Sequence, residues 1–187
     1  MTSLIGHNGG PSVAPGESWR RHCWGRARAD LLPHLPLEVL RTRVRRAAEL
    51  GLDYRTYASV RAASGHDVVA FLFSSNALRV MAPGTPLPPD RAARLAAIVR
   101  CGRVALAQGR LSPETLLALG GGLIDQAHPA PAPLATWRMG REAIRRALGG
   151  RPGDGVILVG DTTLESEWCA AGSLAAYLPA ERFFPAG

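Results

Sequence analysis

Cysteine is scarce in this chain. Cys23, Cys101 and Cys169 are the only three, far apart and odd in number, which excludes a disulfide framework and fits reduced, buried thiols. Long apolar runs are missing as well. No stretch approaches the roughly 20 residues that a membrane-spanning helix needs, so no membrane association is expected. The opening Met1-Thr2-Ser3-Leu4-Ile5-Gly6 has neither the basic head nor the apolar core of a secretory signal, which leaves the cytoplasm as the expected compartment. Lysine is absent altogether, all 22 basic residues being Arg. Such a bias can follow from genome composition, so guanidinium chemistry is not argued from it alone.

The familiar catalytic signatures are also absent. There is no Gly-x-Ser-x-Gly, no His-Glu-x-x-His, no Walker loop and no Cys-x-x-Cys. His22 and Cys23 are adjacent, so on a helix their side chains diverge and offer no zinc site. Gly120-Gly121-Gly122 does not follow a strand, as a dinucleotide fingerprint would. No cofactor or metal is expected, and binding is favoured over catalysis.

What is present is an architecture. An apolar fraction of 47% over 187 residues excludes a mainly disordered chain and suffices for one domain with its own core. At its centre lies Asp67 to Leu78, where Val68-Val69-Ala70-Phe71-Leu72-Phe73 is apolar without interruption and rich in β-branched and aromatic side chains. Such a run suits a strand buried on both faces, as in parallel sheets covered by helices. The expected fold is a three-layer α/β domain with a small, mostly parallel sheet, its strands near 67–74, 102–107 and 155–159, preceded by an Arg-rich N-terminal helical pair. Residues 1–17, rich in Gly and Pro, read as a flexible head. Residues 18–187 read as the single domain, with the basic pair at 18–51 and an irregular excursion at 109–133.

In the basic pair, Ser18 caps a helix from Trp19 to about Leu32, and Pro36 opens a second that closes at Gly51. The second helix is expected to turn Leu37, Leu40, Val44, Ala47 and Ala48 inward and Arg41, Arg43, Arg45 and Arg46 outward. Further helices are expected over 53–64, from Asp90 to about Val99, from Pro113 to Leu119, and from Leu134 to Gly149, the last carrying Trp137, Ile144, Ala147 and Leu148. A last one should start at Thr162 and carry Trp168, Ala171, Leu174 and Leu178 inward.

Charge is unevenly spread: residues 1–100 hold 14 Arg against 7 acids, and residues 101–187 hold 8 against 8. Residues 19–46 alone carry eight Arg with only Asp30 and Glu38 to offset them. Adjacent helices with that excess form a surface suited to an anionic partner, either nucleic acid or an acidic protein. Arg20, Arg21, Arg41, Arg45 and Arg46 are the expected contacts. A merely solvated face is the simpler alternative, and Trp19 and Trp24 at helical spacing fit core better than base stacking.

A second class of site lies at strand ends. Ser74, Ser75 and Asn76 follow the central strand, where open α/β sheets keep their ligands. Gly160-Asp161-Thr162-Thr163 closes the strand near 155–159 and leads into a helix with Glu165 in its first turn. A phosphate- or nucleotide-handling enzyme would use Ser74, Ser75, Asn76, Asp161 and Glu165, with Asp161 as Mg²⁺ ligand or proton carrier. The competing reading makes Thr162 and Glu165 a capping box and nothing more. A third class, a protein-interaction module, would use the head and the Pro-rich loops.

An apolar strand ending at Ser75-Asn76, followed later by one ending in Gly160-Asp161-Thr162-Thr163-Leu164-Glu165, resembles the second and fourth motifs of the haloacid-dehalogenase-like phosphatases. That family's defining Asp-x-Asp pair, its nucleophile and proton partner, occurs nowhere in the chain. The resemblance therefore implies no covalent chemistry, only a degenerate relative, and it is read here as coincidence.

Overall fold

The structure, a computed structural model, describes residues 35–184. The expected head, the helix from Trp19, and Arg20, Arg21, Cys23 and Trp24 lie outside the described residues. Residues 41–187 form one unit, and it is the α/β unit described here.

The elements run α1 (Leu37–Glu49), α2 (Tyr54–Ser64), β1 (Ala70–Ser74), α3 (Pro89–Ala96), β2 (Gly102–Ala107), α4 (Pro113–Leu119), β3 (Gln126–Pro129), α5 (Trp137–Leu148), β4 (Val156–Gly160), α6 (Thr163–Gly172), β5 (Ala176–Pro179) and α7 (Ala180–Phe183). Five strands form one sheet in the order β3-β2-β1-β4-β5, and every pairing is parallel. β1 is central and buried at each of its positions. Its odd side chains Phe71 and Phe73 enter one core with Leu50, Tyr57, Leu95 and Leu116, while Ala70 and Leu72 enter another with Ile144, Ala147, Leu148 and Trp168. Alternation along a strand thus divides the two apolar layers, one on each face of the sheet.

The path explains the layers. From β1 the chain winds outward through β2 to β3 with α3 and α4 on one face. It then crosses by α5 to β4, on the opposite side of β1, and by α6 to β5 with the helices on the other face. Right-handed crossovers travelling in opposite directions require this change of face. The reversal falls between β1 and β4.

Three strands lie where the sequence places them, though β1 begins at Ala70 rather than 67. Two others were not foreseen. β3 lies inside the stretch read as irregular, and β5 takes residues read as the end of the last helix. Each has only four residues, ends in Pro, and sits on an edge with a single neighbour. Context makes them strands. Arg103 Nη2 donates to Asp125 at 2.9 Å, and the Arg103 amide donates to the same carboxylate at 2.7 Å, which sets the entry of β3 against β2. α6 stops at Ser173, a left-handed residue with φ 51°, and the chain turns back into β5, so Leu178 is buried from a strand rather than a helix.

α1 corrects the expected helix face. Leu37 and Val44 are exposed, 58% and 47%, while Ala47 and Leu50 are buried. Arg46 points inward. Its Nε donates to Asp67 at 3.0 Å, Nη1 to Glu49 at 3.2 Å and the Val99 carbonyl at 3.1 Å, and Nη2 to the carbonyls of Val68 at 3.0 Å and Arg100 at 3.1 Å. A guanidinium has five N–H groups, and here all five are used. The side chain ties α1 to the segments entering β1 and β2. On α5, Trp137 is 60% exposed, while Ile144, Ala147 and Leu148 are buried.

The layer facing α3 closes on an aromatic cluster. Phe71 and Phe73 stack at 5.6 Å, and Phe183 meets them at 5.2 and 5.5 Å. Arg91 lies 4.3 Å over the Phe184 ring and donates to the Phe184 carbonyl at 3.1 Å, while Arg94 donates to the carbonyls of Phe183 and Gly51. Two arginines of α3 thus hold the 183–184 segment against the core.

Candidate functional site

The register brings the strand ends together. Ser74 pairs with Leu106, so Ser75 and Asn76 continue beside Ala107 and Gln108. Phe73 pairs with Val159, which sets the residues after β4 on the other side. All of them meet at the carboxyl edge, where the strand order reverses and where open α/β sheets form a crevice.

Glu165 is at the centre of that edge, and it is fully buried. Its Oε1 accepts from Asn76 Nδ2 at 2.8 Å and from Gln108 Nε2 at 2.6 Å. Its Oε2 accepts from the backbone N–H of Asp161 and, at 3.1 Å, from that of Thr162. Thr162 in turn caps α6 by accepting from the Glu165 N–H at 3.3 Å, so the capping box is complete. Gly160 makes room for this. A Cβ there would stand 2.7 Å from Glu165 Oε2 and 2.7 Å from the Tyr177 ring. Tyr177 closes the outer side by donating to the Thr162 carbonyl at 3.1 Å.

The consequence is electrostatic. The N–H groups at the start of α6 and the two amide side chains converge as donors on one point, the arrangement that binds an anion. The chain supplies that anion itself. A buried carboxylate with both oxygens engaged by four donors is a structural anchor of the carboxyl edge.

Each residue foreseen for the site has its place. Ser74 is fully buried and accepts from the Ala77 N–H at 3.0 Å, so it fixes the turn after β1. Ser75 and Asn76 line a cleft of about 630 Å³ together with Gln108, Thr162, Met81, Leu111, Leu164, Trp168 and the run 129–133. Asp161 is exposed and its carboxylate accepts no hydrogen bond among the described residues; it does not line the cleft. The strand ends therefore meet, with Glu165 buried at their centre and Asp161 exposed. Gln108 was not foreseen as a site residue. Asking which residue follows each strand of an α/β sheet, and not only those with reactive groups, would have found it.

The excursion at 109–133 acquires a role. Its start forms α4, its end forms β3, and Pro129 to Pro133 make one wall of the cleft.

Among the basic residues expected to contact an anionic partner, Arg41 and Arg45 are exposed on α1, whereas Arg46 is saturated by internal acceptors. This takes Arg46 out of the set of surface contacts. A second basic helix appears where the sequence reading named none: α5 exposes Arg138, Arg141, Arg145 and Arg146, with Glu142 facing Arg138 at 4.0 Å. α1 and α5 serve opposite cores, so exposed arginines occur on both faces of the sheet.

The cysteines Cys101 and Cys169 are free, and burial pushes their thiols up to about 12 and about 11. Both are poor nucleophiles at neutral pH. Among the described residues no three His, Cys, Asp or Glu side chains cluster as metal ligands, and no helix is long and apolar enough to cross a membrane. Compared with protein-family models, curated proteins and solved structures, the chain finds no match.

Proposed function

We propose that the protein is a non-catalytic binding protein that engages an anionic partner, nucleic acid, through exposed arginines. The observation that carries this reading is the division of its guanidinium groups. Arg46, Arg91, Arg94 and Arg103 are spent on internal acceptors, while Arg45 on α1 is exposed and makes no hydrogen bond or ion pair among the described residues. Exposed guanidiniums fork to phosphate and release counterions when they do so. The engagement of Glu165 by four donors supports the non-catalytic half of the proposal, because it leaves the strand-end crevice without a free buried acid or base.

The test is retention on DNA as a function of salt. Two phosphate contacts on α1 contribute about 1.8 to the slope of log affinity against log salt, so the Arg41→Glu/Arg45→Glu double variant should flatten the slope by about that much. The Arg141→Glu/Arg145→Glu variant on α5 is the control for general charge. The α1 assignment fails if only the α5 variant loses retention. The nucleic-acid reading fails if retention is flat in salt.

A further inference from the structure

We propose that the cleft at the carboxyl edge binds a neutral, flat molecule presenting a hydrogen-bond donor beside an acceptor, as a carboxamide, a lactam or a nucleobase ring does. Nothing in this inference depends on the anionic-partner reading.

Ser75 lines the cleft, and its hydroxyl, which makes no hydrogen bond within the described residues, is open to that cleft, so a bound molecule can supply its partner. Beside it lie two amides whose orientation is settled. Asn76 and Gln108 each give one N–H to the same Glu165 oxygen, so each keeps its carbonyl oxygen and a second N–H uncommitted. Two adjacent amides held in this way offer donor and acceptor side by side, which is the complement of another amide edge.

Charge selects the ligand further. The Glu165 carboxylate lies directly behind the two amides and already occupies the anion position at the start of α6. No arginine lines the cleft. A phosphate or carboxylate would meet a buried negative charge with no cation to offset it. The walls select for shape: Met81, Leu111, Leu164, Trp168 and the 129–133 segment are apolar, and rings pack on such surfaces without polar cost. The volume of about 630 Å³ falls within the roughly 300–1,000 Å³ of small-molecule sites.

The experiment titrates the full chain with uracil and nicotinamide as neutral probes, and with benzoate and phenyl phosphate as anionic ones, by calorimetry or ligand-observed NMR. The neutral probes should bind, and the anionic ones at least about tenfold more weakly, a difference of about 1.4 kcal/mol. Ala132→Trp and Met81→Trp place an indole at exposed positions of the cleft wall, and each should abolish binding. Ser75→Ala should weaken it about fivefold, consistent with the loss of one neutral hydrogen bond. The proposal is overturned if the anionic probes bind as well as the neutral ones. It is equally overturned if binding survives both indole variants, or if neither neutral probe binds at about 10 mM, where even very weak sites fill.

Discussion

Single side chains decide whether the carboxyl edge is a site or a scaffold. Glu165 has four donors aimed at it, so replacing the acid by its amide sets an NH₂ either against two backbone N–H groups, which can only donate, or against the Asn76 and Gln108 amides, which must then turn over to accept. Glu165→Gln should cost about 1–3 kcal/mol in denaturant unfolding, the penalty for leaving buried polar groups unmatched. An unchanged midpoint would show that the four contacts contribute little. The same residue shows where reading a sequence stops. The capping box at Thr162 and Glu165 could be seen from spacing alone, because it is local. The bonds from Asn76 and Gln108 could not, since they join residues 89 and 57 positions away and exist only once the register of β1, β2 and β4 is set.

At the scale of elements, helix faces were harder to read than strands. The apolar run through β1 allowed one interpretation, and β2 and β4 resembled it. In α1 the pattern Leu37, Leu40, Val44, Ala47 suggested a buried stripe, but the helix is rotated so that Arg46, Ala47 and Leu50 face the sheet. The rotation follows from five acceptors that converge on one guanidinium from Asp67, Glu49 and three loop carbonyls. Lysine has three donors on a flexible stem and cannot serve them all. Arg46→Lys should therefore lower stability by about 2 kcal/mol, close to the loss of Arg46→Met, when measured by thermal or urea unfolding. If lysine restored wild-type stability, charge alone would account for the site. β3 and β5 were missed for a related reason. Four residues ending in Pro carry little pattern of their own, and neighbouring strands supply the rest.

For the whole molecule, pH gathers many of these contacts into one measurable curve. Partial burial pushes the Asp67 carboxyl up, but the Tyr57 hydroxyl and the Arg46 guanidinium outweigh it and hold it below the usual carboxylate value. Asp125 is depressed in the same manner by Arg103, against its own desolvation. Burial, reinforced by Arg151 and Arg146, lowers His128. A depressed group contributes stability above its unfolded pKa and loses it as pH falls toward the folded value. The first acid loss should thus begin below about pH 6.5 from His128, and a second below about pH 4 from the carboxylates. Burial raises Cys101 from 9.0 to about 12, so stability should also decline as pH rises through that range. His128→Asn should remove the first acid step, and Cys101→Ala should flatten the alkaline limb. Urea midpoints measured from pH 4 to 11 would reveal either change, and limbs identical to the wild type would contradict the assignments.

The clamp of Arg91 and Arg94 on Phe183 and Phe184 has a consequence for synthesis. The central strand emerges from the ribosome more than a hundred residues before the two rings that cover its phenylalanines. Until those rings arrive, Phe71 and Phe73 must wait with an open side, offering a greasy surface to chaperones or to another nascent copy.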